Sequence, residues 1–216
     1  MIPAPFPVHH QLPGWELFWV HIEAVPGAEA QLAALRSACE ARARERIPSE
    51  SISSHPTAAA IRSLFRAAGT DPTRYRPSSE ALLRRVLKGE GLPVLHPLVD
   101  LNNCLSIELV VPCCVVAEGM LHPPLTLRAG RAGESFTSLR GPIGLEGKPL
   151  LEDGLGPFGT PITDSERGKI LPETDRAWMV AYLPAGVVGA GEAEAALRRL
   201  LEAAPVARAS TSFVSS

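Results

Sequence analysis

Pro112 divides the chain into two kinds of pattern, and this change constrains the fold more than any other feature. Between Ala28 and Val110 the apolar residues recur at three- and four-residue spacing. Beyond Pro112, as far as Gly159, they fall in short runs broken by Gly and Pro (CCVVAEG, LTLRAG, ESFTSL). The first spacing is that of helices buried along one face, and the second that of short strands and turns. A helical first half and a sheet-rich second half follow. The 216 residues suffice to bury one core without disulfides or a metal.

Within this frame the elements can be placed. Gly14 to Val25 (GWELFWVHIEAV) is aromatic and β-branched and reads as a strand. Ala28 to Arg46 sets Leu32, Leu35 and Cys39 on one helical face, with charged residues on the others. A second helix opens near Ser54 and Pro56, aligns Ile61, Leu64, Phe65 and Ala68, and stops at Gly69. A third is expected to be capped by Ser78 or Ser79, with Leu82, Leu83, Val86 and Leu87 inward. Asp100 to Val110 reads as a fourth helix, with Asn102 and Asn103 in its first turn. Arg176 to Leu183 reads as a strand, Glu192 to Ala204 as a helix, and Ser210 to Val214 as a closing strand or frayed tail. Residues 1–13, Pro-punctuated and carrying His9 and His10, read as an N-terminal extension ahead of a single domain over 14–216. The Gly-rich stretch Gly141 to Gly159 reads as a surface excursion.

Composition removes several classes of function. Hydrophobic residues at 45% and charged residues at 20% are ordinary for a globular protein. No apolar run approaches the roughly 18 residues of a membrane span, and no export signal opens the chain, so a cytoplasmic location is expected. The four cysteines form no CxxC pair, and Cys113 and Cys114 are adjacent, which suits reduced thiols. With a net charge of −2, contact with a polyanion requires local clustering of basic residues. Of the 21 basic residues 18 are Arg, a bias shared by phosphate-binding surfaces and by the products of GC-rich genomes. The densest local cluster is Arg74, Arg76, Arg84, Arg85 and Lys88. It reads either as an RNA-facing patch or as a solvated helix face partly neutralised by Glu80 and Glu90.

No dinucleotide fingerprint, Walker loop, HExxH, GxSxG or zinc spacing is present, so no metal and no cofactor is expected. The GRAG from Gly130 reads as a turn. His21, His55, His96 and His122 are too scattered for a zinc site, and His96 and His122 precede prolines, which favours extended structural positions. Two polar groups remain. Asp100, Asn102 and Asn103 head the fourth helix, and DSERGK from Asp164 puts two acids and two bases in a Gly/Pro-flanked loop. That loop reads as a self-neutralising turn, or as a pocket lid offering a carboxylate to a substrate and cations to a phosphate.

The segment Arg74 to Asn103, RYRPSSEALLRRVLKGEGLPVLHPLVDLNN, resembles the signature of the aminoacyl-tRNA editing module of the phenylalanyl-tRNA synthetase β subunit. RPSSEAL and PLVDLNN carry most of the likeness, and GTPITDSERGKILPET continues it. The resemblance spans roughly Trp15 to Leu183 and includes nothing of the synthetase's activating domain. It implies an α+β domain with mixed and antiparallel sheets packed with several helices, and a pocket that hydrolyses a wrongly esterified tRNA. Such a second site is needed because an apolar pocket rejects an added hydroxyl poorly. Mapped without gaps, the family's Thr-Asn pair falls on Asn102 and Asn103, its recognition Glu on Glu166, and its pocket His on Cys114. The implied roles are ester or water positioning by Asn103 with Asn102, side-chain or ammonium recognition by Glu166, and pocket lining by Cys114 and Asp164. Arg167 or Lys169 would meet the terminal phosphate, with tRNA or aminoacyl-tRNA as partner. A non-catalytic tRNA-binding module and an amino-acid-binding pocket remain as alternative readings.

Overall fold

The computed structural model describes residues 5–47 and 49–216. In chain order it contains β1 (Val8–His10), β2 (Trp15–Ala24), α1 (Glu29–Arg46), α2 (Pro56–Ala68), α3 (Ser78–Leu87) and α4 (Pro97–Leu109). There follow β3 (Cys113–Ala117), β4 (Leu125–Ala129), β5 (Ser135–Ser138), β6 (Gly141–Gly144), β7 (Pro149–Asp153) and β8 (Gly156–Gly159). The chain ends with β9 (Arg176–Pro184), α5 (Ala190–Ala203) and β10 (Ala207–Ser215). The class is α+β.

The central sheet has the order β10-β2-β9-β3, antiparallel throughout. Both its faces are covered, and the alternation of side chains along each strand decides which layer each residue serves. From β2, Phe18, Val20 and Ile22 pack with Leu32, Leu35, Leu101, Leu105 and Leu197 of the helices. Leu17 and Trp19 point the other way, toward Leu125, Leu127, Leu151 and Phe158 of a second sheet. That sheet has the order β1-β4-β7-β8, its β1–β4 pair parallel and the rest antiparallel, and a β5–β6 hairpin stands beside it. The result is three layers, helices on sheet on sheet. Among the described residues no helix is long and apolar enough to cross a membrane.

Several expectations are revised. The described part of 1–13 is knitted into the body: β1 pairs with β4, and Phe6 packs edge-on against Trp19, Trp178 and Phe213. The stretch Gly141–Gly159 is no surface excursion, because β7 runs between β4 and β8 with Leu150 and Leu151 wholly buried. Its glycines mark the turns on either side. Helix α4 begins at Pro97, earlier than expected, because His96 adopts an extended conformation and accepts the Leu98 N–H on Nδ1 at 3.3 Å. Asn102 and Asn103 therefore lie beyond its first turn. Pro77, not a serine, occupies the cap position of α3, and Ser79 and Glu80 turn inward.

Glu80 thus does nothing for the basic face of α3. Its carboxylate is fully buried against α2, where Arg62 Nη1 reaches both oxygens at 3.2 and 3.3 Å. A buried carboxylate stripped of its partner is costly, whereas an apolar pair of similar volume is tolerated. Arg62→Met is expected to lower stability by about 3–5 kcal/mol, and Arg62→Met with Glu80→Leu to recover most of that loss. Urea unfolding of the two variants checks this.

Candidate functional site

The site begins with a backbone problem. Strand β3 is the last strand of the central sheet, yet every residue in it is buried. Tyr182 N–H donates to the Pro112 carbonyl at 2.9 Å, so the alternation of an antiparallel ladder turns residues 112 and 114 toward β9 and 113 and 115 outward. The outward Cys113 carbonyl and Val115 N–H then need partners that no strand supplies.

Side chains supply them. Asn102 of α4 donates through Nδ2 to the Cys113 carbonyl at 3.3 Å. It can reach because α4 passes into β3 through a tight turn in which Val110 takes φ 60 and Ser106 Oγ donates to the Val111 carbonyl at 2.7 Å. Left-handed backbone is unusual for a β-branched residue, so this turn holds local strain. Asp164 accepts from the Val115 N–H. Its loop is held by short ties: Thr160 Oγ1 donates to the Thr163 carbonyl at 2.8 Å, and Ser165 N–H donates to Phe158 at 3.1 Å.

On the face toward the second sheet, the Cys114 thiol lies 3.3 Å from the Thr160 carbonyl and 3.8 Å from Tyr182 Oη. Gly159 leaves space here. A methyl group on it would stand 3.8 Å from Asp164 Oδ1 and 3.9 Å from both Cys114 Sγ and Tyr182 Oη. Burial pushes the Cys114 thiol and the Tyr182 phenol up, so both are neutral at physiological pH. Asp164 is part-exposed as a residue, but its carboxyl is enclosed. Burial raises it to about 6, against the downward pull of the Cys114 thiol and the Val115 N–H.

On the segments that cover this edge three oxygens are sealed from solvent and have no hydrogen-bond partner among the described residues: Asn102 Oδ1, Asp164 Oδ1 and, on the residue after Asp164, Ser165 Oγ. Native interiors hold few such groups, and each costs about 1–3 kcal/mol. Asn103, on the next position of α4, is 8% exposed, and its amide bonds to nothing among the described residues. The arrangement therefore offers unused acceptors, an unused amide and a carboxyl that titrates within the physiological range.

The structure brings together Asn102, Asp164 and Cys114 at the edge of β3, and Asn103 is the next residue of α4. Glu166 and Lys169 are exposed on and just after the 3₁₀ turn Glu166–Gly168. Arg167 points elsewhere: it grips both oxygens of buried Asp153 at 2.9 and 3.0 Å and the Gly156 carbonyl at 3.0 Å, bracing β7 to β8. Asp100 is spent on Arg36 and on the Leu95 N–H. Of the basic cluster, Arg74, Arg76 and Lys88 are exposed, Arg84 is partly buried, and Arg85 bonds the Gly91 carbonyl and Glu90. His21 bridges Ser210 Oγ at 2.8 Å and Glu118 at 2.9 Å, and among the described residues no cluster of His, Cys, Asp and Glu is arranged to hold a metal. Tyr182, Gly159 and Ser165 escaped the sequence reading. Tyr182 could have been found from β9, where alternation places it beside Val180 on the face opposite Met179.

The architecture is a three-layer α+β domain with buried polar side chains gathered at the covered edge of its central sheet. The chain belongs to the B3/4 domain family, whose description matches residues 60–197, more than half of its length. No curated protein matches it. Among solved structures it is similar to an N-terminal fragment of the phenylalanyl-tRNA synthetase beta-subunit from Pyrococcus horikoshii. Identity is 12% and the TM-score 0.46, with 98% of this chain and 50% of that one covered. The chain thus spans half the length of that fragment.

The raised Asp164 carboxyl carries a signature in stability. A carboxyl whose folded value lies above its unfolded 3.8 binds its proton more tightly when folded, so stability falls as pH rises from about 4 to about 6 and stays lowered above that. Asp164→Asn removes the ionisation. It is expected to melt higher than the parent at pH 8, by on the order of 2 kcal/mol, with the gain vanishing below pH 4. Calorimetric melts at both pH values check this.

Proposed function

We propose that this protein hydrolyses the ester of a mischarged aminoacyl-tRNA, acting in trans in the cytoplasm. The observation that carries the reading is the pair of sealed, unpartnered oxygens on Asn102 and Asp164, both of which serve the edge of β3, with Ser165 and Asn103 next to them in sequence. An aminoacyl ester presents the complementary groups: an ammonium with several donors, and a carbonyl that becomes an oxyanion when attacked. Membership of the B3/4 family supports the same assignment.

In this mechanism Asp164, ionised above about pH 6, accepts from the substrate ammonium or from the attacking water, and the Asn102 carbonyl and Ser165 hydroxyl complete the acceptor set. The Asn103 amide donates to the developing oxyanion, where a fixed donor acts most strongly. Water is the nucleophile. The Cys114 thiol is held neutral by burial and lacks a base that would make it a thiolate, so it lines the nook. Glu166 at the exposed turn reads the amino-acid side chain at the mouth of the nook. Lys169 takes the phosphate contact that Arg167, committed to Asp153, does not. Exposed Arg76 and Lys88 offer positioning contacts to the tRNA backbone.

Deacylation of a panel of mischarged tRNAs, including tyrosine on the phenylalanine tRNA, tests the proposal. Turnover of at least one member is expected, with kcat/KM rising through about pH 6 as Asp164 ionises. Asn103→Ala should lower kcat by about 10²–10³ while leaving the fold intact. Unchanged turnover in that variant would overturn the site assignment. Binding that weakens with salt, without turnover of any member, would favour a non-catalytic RNA-binding module.

A further inference from the structure

Lys148 stands out among the charged groups that this mechanism leaves unused. It is 5% exposed, yet among the described residues no carboxylate, carbonyl or hydroxyl accepts from its ammonium. Instead Nζ lies 3.7 Å from the centroid of the Tyr75 ring. The guanidinium of Arg74 is 5.2 Å from the same centroid, and Arg74 too has no carboxylate partner among the described residues. The carboxylates close in sequence do not compensate: Asp71 is turned to the Thr73 N–H at 2.8 Å, and exposed Glu146 pairs with neither cation. A ring face offsets part of the cost of withdrawing an ammonium from water, but it accepts no hydrogen bond as a full acceptor does.

The backbone beneath Lys148 is fixed before any ligand arrives. Its N–H donates to Leu145 at 2.9 Å, its carbonyl accepts from Gly130 at 2.8 Å, and Gly147 N–H donates back to Gly130 at 2.9 Å. Thr70 Oγ1 ties the Gly147 carbonyl to the end of α2 at 2.7 Å. Two of these contacts exclude side chains, since a Cβ on Gly130 would fall 1.9 Å from the Leu145 carbonyl and one on Gly147 3.0 Å from that of Gly69. The loop carrying Arg74 and Tyr75 is anchored at its far end, where Ser78 N–H donates to Pro161 at 2.9 Å, beside the segment that holds Asp164.

We propose that Lys148 and Arg74, gathered on the Tyr75 ring, form a site for a phosphate group, supplied either by an RNA backbone or by a free nucleotide. Two cations of different shape, one compact and one planar and neither paired with a carboxylate among the described residues, suit a tetrahedral dianion or a phosphodiester. The site stands on its own geometry and does not depend on ester cleavage.

Melting temperatures in sodium phosphate, against sodium chloride of equal ionic strength, test it. At phosphate near ten times its Kd the parent is expected to gain about 3–5 °C over chloride, and Lys148→Gln to lose that gain. Should Lys148→Gln not fold, Arg74→Gln, at an exposed position, is expected to weaken phosphate binding at least tenfold. No gain in the parent, or a gain kept in either variant, overturns the proposal. Adenosine monophosphate and a short single-stranded oligoribonucleotide then separate the sources: tighter binding of the oligonucleotide assigns the site to a backbone phosphate, and tighter binding of the nucleotide to a free ligand. The phosphate-dependent gain should persist in Asn103→Ala, so failure of the hydrolytic reading leaves this test intact.

Discussion

The covered edge of β3 is the constraint from which the site follows. A sheet must end, and its last strand presents peptide groups that normally face water or meet another strand. Here α4 and the loop of Asp164 close over that edge, so the Cys113 carbonyl and Val115 N–H are satisfied by an amide and a carboxyl. Each such side chain carries one more polar atom than the edge requires. The surplus, Asn102 Oδ1 and Asp164 Oδ1, is left facing inward without a partner. The side chains that close the unpaired edge thereby leave two buried acceptors unsatisfied.

The chemistry of the nook is set by how unequally burial acts on its groups. It keeps the Cys114 thiol and Tyr182 phenol neutral, and it holds the Asp164 carboxyl at about 6, where the charge is available but not free of cost. Cys114 offers a thiol that is only a weak donor and, held neutral by burial, no base. Of these three groups only Asp164 is placed where it changes charge near neutral pH.

The elements were largely legible because periodicity reports burial. The alternation in β2 and the helical spacing of Leu32, Leu35 and Cys39 follow from faces that had to be covered. Of the candidate site, Asn102, Asn103 and Cys114 were named through the family resemblance and Asp164 through its polar loop, but what each one touches was not legible. Nothing in Asp100 announces that Arg36, far back in the chain, would claim it, and nothing in Arg167 separates a brace for Asp153 from a hand for a phosphate. The β7 strand was misjudged because its short apolar run lies among glycines, and local spacing does not tell an interior strand from a surface loop. Lys148 was invisible for the converse reason: a lone lysine reads as solvent-facing unless the tertiary fold buries it.

The tight turn at Val110 joins α4 to β3 so closely that Asn102 and the carbonyl it serves lie 11 residues apart, whereas Asp164 comes from much further along the chain. Half of the nook is therefore a local unit, able to assemble with little loss of loop entropy, and the other half closes only when distant segments return. During synthesis the first half emerges with its strand edge still bare. The Asp164 loop covers only the outer edge of β3, and because β9 follows it in the chain the inner edge stays unpaired, and open to mispairing with other chains, until β9 arrives as well.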